Sequence, residues 1–529
     1  MSHIKGCKKC GAGALSSDEY CPVCGTKFDM PQKQEQARPA AYTGRANREN
    51  AAGVYAGAPY TRESVQSRHE KHVQMAPKKK KRRPTLMALL VALVLVGVVG
   101  GIYFLADFGE QTIAPTPRGA YPVAYEAYEL IIPVTRQENV PPGYMGIYTK
   151  EDLRSIGEEL TGNFILMNDI DLGGAELKPW TPIGADPARY YTSLTDYDGF
   201  SGVLDGNGHT ISNLYVSIKD VEQKQVVCAG LFALTLNATI RNLTVTGTVE
   251  ITGHIGEYTY AGGISGACVA TGGRNVIRNC AFAGRISQAE YAGGITGIVS
   301  AYDAEAEGIV TLCTSNGDIT GGKAGGIVGF QNAMGEQSRT TVAYSRNYGN
   351  VHAVVSTYNF AGGISGGVQS GQSGAVSTIL GCENKGQITG NDRTGGICGS
   401  LTAINGARAI IENSYNRGDV VGKKYASGIA ANCYTGEARD EIYISRCYNS
   451  GAVSGDRSGR RAIAYADKDE LMALTDCYYT GNSGCKDTNA TEMTDAGIGG
   501  YFITNWPWLF SADESGALPA VIPELEFGA

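Results

Sequence analysis

The stretch that decides the fold is AGGISG (Ala261–Gly266), which returns as AGGITG from Ala292, AGGIVG from Ala324, AGGISG from Ala361, TGGICG from Thr394 and ASGI from Ala426, with AGLF from Ala229 as a first, degenerate copy. Successive copies start 32, 31, 32, 37, 33 and 32 residues apart. A constant period of this length is the signature of stacked structural repeats. Inside each period lies a second motif that ends in glycine and runs into a short apolar strand: NCAFAGRI, LCTSNGDI, YSRNYGNV, GCENKGQI, NSYNRGDV and RCYNSGAV, then DCYYTG. Aligned on their glycines, these place Cys280, Cys313, Ser345, Cys382, Ser414, Cys447 and Cys477 in one column, and Asn347, Asn384, Asn416 and Asn449 in another. If each period is one coil, like residues stack about 4.8 Å apart. The small Cys/Ser column then faces a crowded interior, and the Asn column forms a ladder of amides at a turn. Ile264, Ile295, Ile327, Ile364, Ile397 and Ile429 form the core column. The Gly-Gly pairs are expected at corners, either with positive φ or where neighbouring backbones approach closely.

No segment between these motifs has a 3.6-residue apolar period, which excludes leucine-rich and helical repeats. The expected fold is therefore all-β, a parallel β-helix over residues 145–488. The segments that vary in length, such as IVSAYDAEAEG and GVQSGQSGA, are loops on one side, the usual place for binding.

Together with A-G-G-I-x-G, the stretches FSGVLDGNGHTISNLYV (Phe200–Val216) and AGLFALTLNATIRNLTV (Ala229–Val245) resemble the GLUG-repeat family of bacterial surface proteins. The lead-in YTKEDLRSIGEELTGNFILMNDIDLGG (Tyr148–Gly174) resembles that family's lead-in. The resemblance covers roughly residues 145–485, although the "L" of GLUG is mostly replaced by Gly-Ile here. It implies a right-handed parallel β-helix at the cell surface, in a family sometimes attached to enzymes such as immunoglobulin A proteases or to adhesins. It implies no activity for the repeat itself. On its own residues, the lead-in has a capping box in Thr149 and Asp152 and one apolar helical face in Leu153, Ile156 and Leu160, suited to covering the first coil. Residues 489–529 form the expected C-terminal cap, with YFITNWPWLF (Tyr501–Phe510) closing the last coil.

Charge divides the rest of the chain. The net charge of −7 is the sum of +10 over residues 1–84 and −17 over residues 107–529. Between them TLMALLVALVLVGVVGGIYFLA (Thr85–Ala106) has no charged residue. Its length matches a hydrocarbon layer about 30 Å thick, and it lacks the polar stripe of a core helix. PKKKKRRP (Pro77–Pro84) abuts its N-terminal end, which keeps that side cytoplasmic and places residues 107–529 outside. Residues 31–84 read as a disordered basic tether and residues 107–144 as an extracellular stalk.

At the N-terminus, C-K-K-C-G and C-P-V-C-G bring Cys7, Cys10, Cys21 and Cys24 into two CxxC knuckles. Residues 1–30 thus resemble the short zinc ribbon found at the N-terminus of many bacterial membrane proteins. Four thiolates fill a tetrahedral zinc completely, which makes the site structural and leaves no open position for catalysis. The ribbon suits a cytoplasmic protein partner; nucleic acid is not expected, since few aromatics are available for stacking.

Chemistry elsewhere has few candidates. Asp169, Asp171, Asp205 and His209 sit in the repeat pattern and read as structural; Asp196 and Asp198 lie in an inserted loop that could hold calcium, on only two carboxylates. HEKH (His69–His72) lacks the HExxH spacing, and neither G-x-S-x-G nor a P-loop occurs. The ten cysteines beyond the membrane segment are expected to form a buried thiol column, because Cys382 lies between Ser345 and Ser414. The sequence thus predicts no catalytic residues. Its leading functional reading is a single-pass surface protein whose solenoid binds an extracellular glycan or protein. A polysaccharide-acting enzyme and a transmembrane sensor reporting through the ribbon are the alternatives.

Overall fold

The structure is a computed structural model that describes residues 4–6, 13–15 and 132–521, apart from residues 177, 187–188, 254, 355–357, 467–471, 488–489, 506–509 and 513–518. From Val203 to Tyr479 the chain winds as a parallel β-solenoid. One wall is a sheet of eight parallel strands in strict order from Phe232–Leu236 to Ala464–Ala466, one strand per coil. The remaining strands of the coils join in one long continuous sheet that forms the other walls.

One coil illustrates how the sequence makes the turn. Arg339–Ala343 is extended, Arg346–Asn347 and Val351–Ala353 continue it past a bend, Phe360–Gly362 leads to the corner, and Ser365–Ser370 forms the eighth-part of the other wall. Val342, Ser345, Asn347, Val351, Ala361, Ile364 and Val368 all point inward and are fully buried. The alternation of the strand supplies this pattern, since every second residue faces the core.

The isoleucine column is the spine of that core. Ile264, Ile295, Ile327, Ile364, Ile397 and Ile429 are each fully buried, and the column extends one coil further to Ile463, in the AIAY stretch that lacks the glycine pair. The backbones are tied along the same column: each of these isoleucines donates its N–H to the carbonyl of the next, from Ile264 to Ile295 at 3.1 Å through to Ile429 to Ile463 at 2.8 Å.

The asparagine ladder forms as expected. Asn347 Nδ2 donates to Asn384 Oδ1 at 2.8 Å, Asn384 to Asn416 at 2.7 Å and Asn416 to Asn449 at 2.7 Å. The second proton of each amide goes to the carbonyl two residues on, at Gly349, Gly386, Gly418 and Gly451. This explains the Asn-x-Gly spacing of the repeat: the amide closes its own turn and links the next coil.

The Cys/Ser column also has a common chemistry. Ser345 and Ser414 hydroxyls donate to the carbonyls two residues back, at 2.9 Å, and the thiols of Cys313 and Cys447 do the same at 3.3 and 3.2 Å. Cysteine and serine interchange because the site needs a small side chain with one donor. All ten cysteines among the described residues are free thiols.

One expectation about the backbone is corrected. The Gly-Gly corners do not have positive φ; the left-handed residues lie immediately before the Cys/Ser column, at Asn242, Asn279, Leu312, Tyr344, Gly381, Asn413, Arg446 and Asp476. The glycine pairs are required by close approach alone. A Cβ on Gly326 would overlap the carbonyl oxygen of Gly363 in the next coil and the amide of Asn347.

At the N-terminal end, Met145–Ile147 pairs with Asn163–Leu166 and begins the stack. Thr149 caps the helix Lys150–Ser155, with the reciprocal bond to Asp152 in place, and Leu153 and Ile156 are buried in the end of the core. At the other end, the helix Asp495–Asn505 lies against outward-facing tyrosines. The Phe502 ring meets Tyr448 and Tyr478 edge-on at 5.8 and 5.7 Å, and Tyr415 stacks on Tyr448 at 4.9 Å. Trp506 and Trp508 lie outside the described residues.

Candidate binding face

The residues singled out in the sequence are mostly ties within the fold. Asp169 Oδ1 accepts from the Thr210 N–H and meets His209 Nδ1, both at 2.9 Å. Burial opposes its charge, but the Thr210 N–H, His209 and Arg136 outweigh that and hold its pKa below the ordinary carboxylate value. Asp171 is held by Asn213 and the Gly173 N–H. Asp205 accepts from Arg241 at 2.8 Å and from Asn242 at 3.1 Å. Asp196 caps the short helix Leu194–Asp196 through the N–H groups of Thr192 and Ser193, and exposed Asp198 faces Arg189 at 3.5 Å. These carboxylates close turns, and they are not gathered in one place.

Cys7, Cys10, Cys21 and Cys24 lie outside the described residues, as does the apolar segment 85–106. The neighbouring strands Ile4–Gly6 and Gly13–Leu15 pair antiparallel, Ile4 opposite Leu15 and Gly6 opposite Gly13. Residues 7–12 between these strands, which include Cys7 and Cys10, lie outside the described residues. Among the described residues no group of His, Cys, Asp and Glu could hold a metal ion, and no helix is long and apolar enough to cross a membrane.

The feature that the sequence reading missed lies one residue before each corner. Tyr260, Tyr291, Lys323, Phe360, Arg393 and Tyr425 are in register on adjacent coils, all on the outward side of their strands. The pairings along this column are ring on ring or cation on ring. Tyr260 stacks on Tyr291 at 4.9 Å; Lys323 Nζ lies 4.5 Å from the Tyr291 centroid and 5.8 Å from that of Phe360; the Arg393 guanidinium lies 4.8 Å above Phe360. Tyr425 in turn packs on Tyr465 at 4.9 Å. The signal was present in the sequence, as the aromatic or basic residue preceding A-G-G in YAGG, YAGG, KAGG, FAGG, RTGG and YASG.

The corner folds a second wall towards this column. Ala267, Ile298, Phe330, Gly367 and Ser400 follow one another in register on the eight-stranded sheet. Phe330 meets Tyr291 edge-on at 5.8 Å, so the upper part of the corner is filled by aromatic packing. Below Phe330 the second wall continues through Gly367, Ser400 and Asn432, and the Phe330 and Phe360 rings pack over Gly367, where a Cβ would meet both. Lys323 is neutralised by Glu290 in a close ion pair. Burial works against its charge, yet Tyr291 and Glu290 hold its pKa above the ordinary lysine value. Asp392, the residue before Arg393, pairs with Lys424 at 3.6 Å.

Among solved structures, a Bacteroides ovatus protein described provisionally as an immunoglobulin A1 protease is similar to this chain. The identity is 16%, the match covers 73% of this chain and 92% of that one, and the TM-score is 0.37. No family model matches the sequence, and no curated protein matches it.

Proposed function

We propose that this chain is a single-pass cell-surface protein whose solenoid binds an extracellular ligand along the lower, partly exposed part of the Tyr260–Tyr425 column, Phe360 to Tyr425, with its zinc ribbon in the cytoplasm. The observation that carries the reading is the column itself: a run of rings and cations, one per coil and in register from coil to coil. Aromatic rings held in place by a stacked backbone offer large contact area at little entropic cost, which is what recognition surfaces use. The surface placement rests on Thr85–Ala106 and the basic run before it, which would hold residues 107–529 outside. The right-handed winding follows from the preference of parallel crossover connections. In the ribbon, Cys7, Cys10, Cys21 and Cys24 would hold one structural zinc, a reading supported by the two CxxC pairs.

Binding is favoured over cleavage because a glycan hydrolase places two available carboxylates across the scissile bond. The acids beside the column, Glu290 and Asp392, are each engaged by a lysine. The test uses the full chain in lipid nanodiscs, applied to immobilised glycans and matrix proteins, beside Phe360→Ala. The expected result is a retained ligand whose binding Phe360→Ala weakens at least tenfold. Ligands that bind both forms equally would place recognition elsewhere on the chain.

A further inference from the structure

One pair in the Cys/Ser column is set apart by its place in the stack. Cys447 and Cys477 follow one another on the last two coils, because Ile442–Ser445 pairs in register with Met472–Thr475 and Tyr448 with Tyr478. Residues stacked in this way have Cα atoms about 4.8 Å apart, inside the roughly 4.4–6.8 Å that a disulfide spans. Both side chains are buried in the core, and the two thiols are within hydrogen-bonding reach of each other. Elsewhere in the column Ser345 and Ser414 separate the thiols, which leaves Cys280 and Cys313 as the other adjacent pair.

Cys280 and Cys313 are fully buried with complete coils on either side, and the chain at Ile132 is bonded to Asn279 beside them. Cys477 sits where the stack stops. Met472–Thr475, which leads into it, has a paired strand on one side only among the described residues. Past Tyr478–Tyr479 only the two-residue strand Thr491–Glu492 is added. Ala473 and Thr475 are exposed. A terminal coil with a single full neighbour opens more readily than one packed on both sides. In the closed coil the pair is inert: burial pushes the Cys447 thiol far up, and the Arg446 guanidinium one residue away opposes this without reversing it. Opening of the last coil rehydrates both thiols and restores the thiolate that disulfide exchange requires.

We propose that Cys447 and Cys477 form a redox clasp: a small-molecule disulfide in the surroundings oxidises them to a disulfide that ties the last coil to the one before it. When the last coil opens, the Cys477 thiolate attacks one sulfur of the donor and displaces a thiol, leaving a mixed disulfide. As the coil recloses, the Cys447 thiolate attacks the Cys477 sulfur and displaces the second thiol. The two cysteine protons end on the two departing thiols, so the donor is reduced by two electrons and the pair is oxidised by two. The loop closed by the bond lies wholly in the coil with least support, so the opening of that coil is what the bond suppresses. The clasp does not depend on the binding role of the ring column.

The experiment incubates the full chain in nanodiscs with oxidised glutathione, blocks the remaining thiols and maps disulfides by mass spectrometry. Chymotryptic cleavage after Tyr478 or Tyr479 parts Cys477 from Cys485. The variants are Cys447→Ser and Cys477→Ser. Serine already occupies this column at Ser345 and Ser414, so both variants should melt with the parent under reducing conditions. The expected result is a link between Cys447 and Cys477 that forms at least tenfold faster than any link between Cys280 and Cys313. Amide exchange across residues 472–479 should then slow at least tenfold in the oxidised parent, recover on adding dithiothreitol, and stay fast in either variant. No link under conditions that leave the solenoid folded, or a link from Cys477 to Cys485 in its place, would overturn the clasp. Equal rates for the two adjacent pairs would overturn opening of the last coil as the route to oxidation. A link that leaves exchange across residues 472–479 unchanged would show that the bond ties nothing and would overturn its role.

Discussion

Asn279 and Ile132 lie 147 residues apart in the chain and exchange two hydrogen bonds: the Ile132 N–H donates to Asn279 Oδ1 at 2.7 Å, and Asn279 Nδ2 donates to the Ile132 carbonyl at 3.0 Å. Asn207 makes the same pair of bonds with Gln137, at 2.7 and 3.1 Å. Residues 132–137, the end of the expected stalk, are therefore strapped along the outside of the first coils by asparagines whose left-handed backbone turns their amides outward.

Replacing Asn279 by glycine keeps access to positive φ and removes only the amide. Three hydrogen bonds at about 1 kcal/mol each should be lost, the two to Ile132 and the one Asn279 Nδ2 donates to Asn242 Oδ1, and the strap around Ile132 should exchange its amide protons faster. Hydrogen exchange of the full chain checks this; unchanged protection at Ile132 and Gln137 would show that the strap is held by other contacts.

In the asparagine ladder, Asn384→Ala orphans a buried amide on each side, Asn347 Nδ2 and Asn416 Oδ1. The expected cost is about 2–4 kcal/mol, from about 1–2 per unsatisfied group. Asn449→Ala, at the end of the run, leaves only the Asn416 Nδ2 donor without its ladder partner and should cost about half as much. Melting points of the two variants provide the comparison, and equal losses would argue against a ladder.

Gly326→Val should lower the melting point well beyond what a loop change does, because its side chain must displace the Gly363 carbonyl or the Asn347 amide. Overpacking of this kind costs about 1–3 kcal/mol, and stacked coils share the damage with their neighbours. Deleting two residues from the loop 334–338 is the control and should change little. A parent-like melting point for Gly326→Val would contradict the close approach of these coils.

Burial pushes the thiols of Cys313, Cys382 and Cys398 up to about 12. Unfolded, they titrate near 8.5, about the ordinary thiol value. The folded chain thus keeps protons that the unfolded chain releases. Their contribution to stability is complete below that ordinary value and is lost as pH rises towards 12. Denaturant midpoints should fall steadily from pH 9 upward, and less so in a Cys382→Ser variant. At pH 8, alkylation of the native solenoid should reach half-buried Cys485 first.

The N-terminal ribbon should bind one zinc through Cys7, Cys10, Cys21 and Cys24. Removing it with a chelator should leave the melting of the solenoid unchanged, and Cys21→Ser should abolish stoichiometric zinc. Metal analysis of the purified full chain gives the count; a solenoid that melts together with metal loss would show that the two parts are coupled.

The sequence by itself determined the repeat and the Ile, Asn and Cys/Ser columns that stack within it. Residues one period apart occupy equivalent places, so a column of Ile, Asn or Cys/Ser in the alignment becomes a physical column one strand spacing apart, and the chemistry of one member is the chemistry of all. Thr149 and Asp152 were legible for a different reason, since a capping box involves residues three apart. What only the tertiary structure decided concerns directions across the coil. The sequence offered glycine pairs for positive φ, but the chain turns left-handed at Asn279 and its equivalents, because where a coil bends depends on how three walls close on one core. It also contained the aromatic and basic residues before each A-G-G without saying that Phe360, with Phe330 of the other wall, packs over Gly367. That encounter exists only because the corner folds two walls together. The strap from Ile132 to Asn279 joins a non-repeating segment to a repeating one, so no internal period could register it.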